Sequence, residues 1–200
     1  TLVRDRLGEK PLYYGYQGKG ENKVFLFSSE LKALKVHPEF KEEINRDALA
    51  LQLRHNCVPA PYSIYKDIFK LMPGHYIELK EEELKKGLLP SSKSYWSLTN
   101  TAIHGNNNQL MLSEQQIQID LKKNLLSTVK KQMMSDVPLG AFLSGGIDSS
   151  TIVSLMQSQS NNPIKTFSIG FLESNFNEAN YAKKISKHLG TDHSELYVSS

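Results

Sequence analysis

Apolar and polar positions along these 200 residues follow two different rhythms. Ahead of the polar tract Asn106-Asn107-Asn108-Gln109, apolar residues come in short clusters broken by turn formers. Thr1-Leu2-Val3 reads as the end of a strand entered from upstream. Pro11 to Tyr16 is a short aromatic strand, Gly15 to Asn22 carries hairpin-turn chemistry, and Val24-Phe25-Leu26-Phe27 returns as its partner. Ser29-Glu30 open a short helix running to Val36, which Pro38 closes. Asn45 and Asp47 start a second helix, with Ala48, Leu49 and Leu53 expected as its apolar face. Ile64 to Leu71 is apolar but interrupted by lysines, Pro73-Gly74 is a turn, and His75 to Leu79 alternates as a strand does. Lys80 to Gly87 (KEEELKKG) is a charge run, expected as a solvated hairpin or linker.

Behind the polar tract, the best boundary in the chain, the rhythm lengthens. Ser113-Glu114-Gln115-Gln116 is a capping-box signature, with Gln116 expected to reach back to Ser113. Ile117, Leu121, Leu125 and Val129 recur at four-residue spacing with Met133 after them, which predicts an amphipathic helix ending before Pro138. From there strands and helices alternate. Leu139 to Leu143 is a strand, and Ile152, Leu155 and Met156 are the inward positions of the helix after it. Lys165 to Gly170 is the next strand. Asn177-Glu178 open a helix with a Tyr181, Ile185, Leu189 stripe, stopped by Gly190, and Leu196-Tyr197-Val198 looks like a strand just beginning. Such alternation predicts a parallel sheet with right-handed crossovers. Three strands do not complete a doubly wound domain, so the sheet is expected to continue past Ser200 or to find partners elsewhere.

Composition narrows the class. The chain is 39% hydrophobic and 22% charged with nine tyrosines, as folded soluble proteins are and disordered ones are not. A net charge of +3 spread along the chain gives no reason to expect a nucleic-acid partner. Apolar runs are too short to span a bilayer, no charged-then-apolar leader opens the chain, and its one cysteine cannot form an internal disulfide. A reducing, cytoplasmic setting without membrane contact is the expectation.

Chemistry concentrates in Phe142 to Thr151, FLSGGIDSST, which sits between an apolar strand and a helix. Ligands of open parallel sheets bind where strand gives way to helix. Gly145 and Gly146 can take positive φ and admit a phosphate close to the backbone. The amides of Gly146 to Ser149 would converge as an anion nest at a helix N-terminus, with Ser144, Ser149 and Ser150 adding hydroxyl donors. Asp148 would repel phosphate unless a cation lay between them, which implies Mg²⁺. No lysine follows the glycines, so this is not a Walker loop, and the spacing is not that of a dinucleotide-binding turn.

Ser144-Gly145-Gly146-Ile147-Asp148-Ser149 resembles the pyrophosphate loop of ATP pyrophosphatases that adenylate a carboxylate. Over a longer span, SDVPLGAFLSGGIDSS (Ser135 to Ser150), TFSIGF and HLGTDHSE resemble the glutamine-hydrolysing asparagine synthetases. RDRLGEKPLYYG (Arg4 to Gly15), SSELKAL (Ser28 to Leu34), PGHYIEL and Tyr95-Trp96 resemble the last part of that family's N-terminal-nucleophile glutaminase domain. The resemblance implies an α/β protein in three parts. Residues 1–80 would be the C-terminal part of an αββα glutaminase domain, 81–112 a linker, and 113–200 the start of a doubly wound, parallel-sheet ATP pyrophosphatase domain. It implies ATP and Mg²⁺, adenylation of aspartate, and attack by ammonia released from glutamine, giving asparagine, AMP and pyrophosphate. It also allows a homodimer. By the same resemblance Ser144, Gly145, Gly146, Ile147, Asp148, Ser149 and Ser150 bind pyrophosphate. Phe142 and Ile169 contact the adenosine, and Asp148 and Glu178 serve the metal.

The family often carries Asp-Glu where this chain has Asn177-Glu178, so one carboxylate is lost while Asn177 still caps the helix. The family's glutaminase nucleophile is an amino-terminal cysteine. Thr1 falls in the late part of that domain, so the chain alone is expected neither to hydrolyse glutamine nor to make asparagine. Cys57 is expected to be a buried, inert thiol, and His55, His75 and His104 lack metal-ligand spacing. His188 and His193 are structural or substrate-side. Two other readings keep part of this pattern: a sister amidotransferase acting on a sugar acid or peptide carboxylate, and a nucleotide-binding module without catalysis.

Overall fold

Turn chemistry and short apolar clusters early in the chain produce antiparallel strands. In a computed structural model describing residues 1–171 and 177–198, β1 (Leu2–Val3), β5 (His75–Ile77) and β6 (Ser92–Ser94) form one sheet in the order β1-β5-β6. β2 (Tyr13–Gln17) runs between β3 (Val24–Ser28) and β4 (Ile68–Lys70) in another. Tyr14 is paired with Phe27 on one side and Phe69 on the other. It is buried with Leu71 and Ile77, and Leu2, Leu12, Phe25, Phe69 and Leu79 pack around them.

Helices of this part are short. α1 covers Leu31–Leu34, and α2 covers Arg46–His55 with the Asn45 side chain accepting from the Asp47 and Ala48 amides. The expected apolar face of α2 is not buried: Ala48 is enclosed, but Leu49 is partly exposed and Leu53 is 79% exposed. Spacing nominates a face, and burial needs something packed against it. The charge run forms a helix, α3 (Glu81–Lys85), in which Lys85 and Glu81 pair at 2.7 Å one turn apart. Residues 81–112, expected as a linker, thus hold α3, β6 and α4 (Leu98–Asn107), and β6 is hydrogen-bonded to β5. The chain divides into compact units after Gln109.

The second unit opens with α5 (Glu114–Gln132), capped by Ser113 Oγ accepting from the Gln116 amide at 3.3 Å. Only half of the capping box forms, because the Gln116 side chain donates to Asp120 instead. Val129 is buried with Leu125, Leu126 and Met133 packed beside it, whereas Ile117 and Leu121 stay exposed at the other end of the stripe. β7 (Gly140–Phe142), β8 (Lys165–Phe171) and β9 (Asp192–Val198) then build a parallel sheet in that order. α6 (Ile147–Gln157) and α7 (Ala179–Leu189) connect the strands. α6 buries Val153, Leu155 and Met156 and turns Ile152 outward, one residue from the expected face. α7 buries Ala179, Ala182 and Ser186, and it leaves Tyr181 65% exposed although Ile185 and Leu189 pack inward as expected. Gly190 ends α7 with φ +71°. β9 begins at Asp192, earlier than Leu196, so His193 and Glu195 lie within the sheet. No helix among the described residues is long and apolar enough to cross a membrane.

Candidate functional site

The last backbone bond between β7 and its neighbour runs from the Leu143 amide to the Phe167 carbonyl at 2.8 Å, and the chain then leaves the sheet. Gly145 carries φ +86°, and a Cβ there would stand 2.7 Å from Tyr181 Cβ and 2.9 Å from the Ala182 nitrogen. Both the torsion and the close approach of α7 therefore require glycine. Gly146 differs from the expectation. Its φ of −74° suits any residue, and a Cβ would meet only Ser144 Oγ at 3.4 Å. One glycine, not two, uses left-handed freedom here.

The serines hold the loop in shape. Ser149 Oγ accepts from the Ser144 amide at 3.2 Å and lies 2.9 Å from Ser144 Oγ, which in turn accepts from the Gly146 amide at 3.3 Å. Ser150 Oγ donates to the Gly146 carbonyl at 2.6 Å. Donors expected to point at a ligand are instead bonded within the loop. The backbone amides of Ile147, Asp148 and Ser149, in the first turn of α6, have no acceptor among the described residues. Three open N–H groups at the positive end of an eleven-residue helix are an arrangement able to receive an anion.

Asp148 is exposed in that first turn. The N-cap of α7 is Glu178, not Asn177 as expected, and Asn177, one residue earlier, steadies the helix start by accepting from the Ala179 amide through Oδ1 at 3.1 Å. Glu178 lies one turn before Tyr181, the residue against Gly145. No group of three or more His, Cys, Asp or Glu side chains suited to a metal occurs among the described residues. A single free carboxylate beside open backbone amides would fit Mg²⁺ brought in with a phosphate, since that ion takes one or two protein carboxylates and completes its shell with phosphate oxygens and water.

Register places a second feature next to the loop. Phe142 pairs with Phe167, Phe167 with Ser194, and Ile169 with Leu196. Paired residues of parallel strands share a face, so these side chains line one cavity of about 340 Å³. Phe142 and Ile169, separated by 27 positions in sequence, meet there. Phe167 and Leu196 were not anticipated. Their signal is the alternation in KTFSIGF, whose odd-numbered residues are exposed and even-numbered ones buried. On the opposite face His193 is enclosed near Thr166 and Ser168, and His188 is exposed in the last turn of α7. The Tyr197 hydroxyl donates to Glu195 at 2.9 Å and, with Lys183 nearby, holds that carboxyl below the usual range against partial desolvation.

Remaining candidates disperse. Cys57 is exposed, contrary to the expectation of burial, because it follows the left-handed Asn56 that ends α2 at the surface. His75 Nδ1 sits 2.8 Å from the Pro73 carbonyl in a turn, and His104 lies on α4 beside Asn108.

Comparison with known proteins agrees with this division. Residues 1–96 match the family described as Glutamine amidotransferase domain, and residues 120–200 match that described as Asparagine synthase. The two in this order define an amidotransferase joined to a synthase. "Putative asparagine synthetase (glutamine-hydrolyzing) 2" of Methanocaldococcus jannaschii is 39% identical over 199 residues, covering 97% of this chain and 35% of the relative. "Asparagine synthetase (glutamine-hydrolyzing) 1" of Bacillus subtilis is 32% identical over 197 residues, covering 98% and 28%. Over nearly its whole length the chain is similar to glutamine-hydrolysing asparagine synthetases, and it spans about a third of the length of these relatives.

Proposed function

We propose that this chain is the junction of a glutamine-dependent asparagine synthetase. Its first unit is the closing part of a glutaminase domain of the N-terminal-nucleophile type, and its second opens an ATP pyrophosphatase domain. The observation that carries the reading is the open first turn of α6, at the carboxyl end of a parallel strand, inside the segment matched by the Asparagine synthase family. ATP is the substrate bound there. The amides of residues 147–149 receive its pyrophosphate, shaped by the Ser144–Ser149 hydrogen bonds and by Gly145 against α7. Phe142 and Ile169 hold the adenosine in the apolar cavity with Phe167 and Leu196. Asp148 would hold Mg²⁺, with Glu178 assisting. When bound, the metal would offset charge on the departing pyrophosphate.

The loop's own part is electrostatic. Charge grows on the pyrophosphate as the aspartate side chain is adenylated, and amides already oriented toward it stabilise that charge without reorganising. Ammonia from the glutaminase domain then attacks the acyl-adenylate.

The test is pyrophosphate release by the complete protein with ATP, Mg²⁺ and ammonia over a panel of carboxylates. Release that depends on aspartate is the expected result. Release only with another carboxylate would move the protein to a sister amidotransferase, and silence with retained ATP binding would discard the enzyme reading.

A further inference from the structure

Beneath the loop, on the helix-covered side of the sheet, lies a row of buried polar groups where apolar residues would pack as well. Thr166 and Ser168 of β8 are 0% and 6% exposed, and the His193 side chain is 8% exposed. Thr166 Oγ1 is 2.9 Å from both Thr191 Oγ1 and His193 Nδ1. His193 Nε2 is 3.4 Å from Ser168 Oγ, and the Ser168 hydroxyl donates to the Leu143 carbonyl at 2.5 Å. The Ser168 proton is thus committed, so its oxygen accepts from His193 Nε2–H, which also lies 3.8 Å from Glu195 Oε1, and in the neutral ring Nδ1 accepts from Thr166. The groups form one continuous hydrogen-bonded row, from Thr191 through Thr166, His193 and Ser168 to Leu143.

Where they end matters. Pairing of β7 with β8 stops at Phe142 and Phe167, and a parallel ladder carried further would bring the Ile169 amide to the Leu143 carbonyl. The Ser168 hydroxyl takes that carbonyl, and one residue later the chain turns into the Ser144 loop.

We propose that Ser168 and His193 are positioning residues for this loop: together they set the height at which the chain leaves the sheet, and so where the amides of residues 147–149 stand. Neither touches the reacting atoms. The consequence for catalysis rests on the pyrophosphate-loop reading, whereas the effect on the loop does not.

The test compares Ser168→Ala, Ser168→Thr, His193→Ala and His193→Gln in the complete protein. Ser168→Ala and His193→Ala should lower kcat for pyrophosphate release roughly ten- to a hundredfold, since small displacements of an oriented group cost that much. KM for glutamine and the rate of glutamine hydrolysis should hold. Threonine keeps the hydroxyl and glutamine keeps an N–H near the Nε2 position, so those two variants should recover most of the loss. Hydrogen–deuterium exchange over residues 143–150 should quicken in the alanine variants, with 114–132 unchanged. Wild-type kcat and wild-type loop exchange in Ser168→Ala would overturn the proposal. So would exchange that rises evenly over the whole parallel sheet, which would make Ser168 a packing residue only. If the wild-type protein releases no pyrophosphate with any carboxylate, the pyrophosphate reading falls, and exchange alone decides whether the pair holds the loop.

Discussion

Two loops in this chain carry an aspartate beside glycine, and they use it in opposite ways. In the Arg4–Lys10 loop, Asp5 accepts from the Glu9 and Lys10 amides at 2.9 and 3.2 Å, and its carbonyl takes the Gly8 and Gly74 amides. Arg4 spreads its guanidinium over the carbonyls of Lys10, Leu71 and Gly8, while the Tyr95 hydroxyl donates to the Arg4 carbonyl. This loop spends its polar groups on its own unit and ties together segments up to 91 positions apart. In the Ser144–Ser150 loop the hydroxyls are satisfied internally, but three amides have no acceptor among the described residues and no bond within the loop holds Asp148. The first loop is closed upon its own unit, and the second leaves donors open. Residue type does not separate them. What does is whether partners exist at the right distance after folding.

Six substitutions at five positions probe that contrast, beginning with the largest effect. Asp148→Asn should reduce pyrophosphate release by the complete protein about a hundredfold or more, as loss of a group that acts on developing charge does. Stability should change by less than about 0.5 kcal/mol, because the side chain is exposed and unbonded. Unchanged turnover in steady-state assays would remove Asp148 from the proposed site.

Gly145→Ala should destabilise the second unit by about 2–4 kcal/mol, combining left-handed strain with the 2.7 Å approach to Tyr181 Cβ. Gly146→Ala should stay within about 1 kcal/mol of wild type, since its backbone is ordinary and its surroundings open. Chemical denaturation of the chain reads both. Equal losses would mean that the glycines share one role after all.

Arg4→Ala should cost the first unit about 2–3 kcal/mol by stripping a donor from the part-buried Leu71 carbonyl and two others. Arg4→Lys should recover less than half, because a point charge cannot serve three carbonyls at once. Denaturation monitored on the first unit checks this, and ATP-dependent chemistry should not follow the loss.

Asp5→Asn should act least, with an effect that varies with pH. Desolvation pushes the Asp5 carboxyl up, but backbone amides from Leu7 to Lys10 together outweigh it and hold the group below its ordinary value of 3.8. A lowered folded-state value stabilises above the unfolded one, and that contribution is lost as pH falls through the folded one. The variant should therefore lose stability at neutral pH and show a flatter acid limb below pH 3.8. An unchanged acid limb would show that the carboxylate is not held by those amides.

Features governed by near neighbours were legible before folding was considered. Asn45 and Ser113 cap their helices, Gly190 ends α7, and the strand-loop-helix order around FLSGGIDSST stands as its composition implies. Each depends on torsions and hydrogen bonds within about one turn, which residue type dictates directly. The parallel order of β7, β8 and β9 also follows from alternation, since a helix between strands leaves few other ways to pair them.

Tertiary structure decided the rest. Spacing could not tell that Val153 rather than Ile152 would face the sheet, nor that Leu53 would find nothing to cover it. Both depend on how far each helix is rotated against a neighbour that is remote in sequence. The same holds at the site. Gly145 needs glycine because α7, more than thirty positions later, comes within reach of its Cα. Phe142 and Ile169 share a cavity because register aligns β7 with β8, and Ser168 reaches the Leu143 carbonyl because the ladder between those strands stops where it does. Local chemistry set down a tight turn rich in glycine and serine, and packing settled which of its groups remain unpaired.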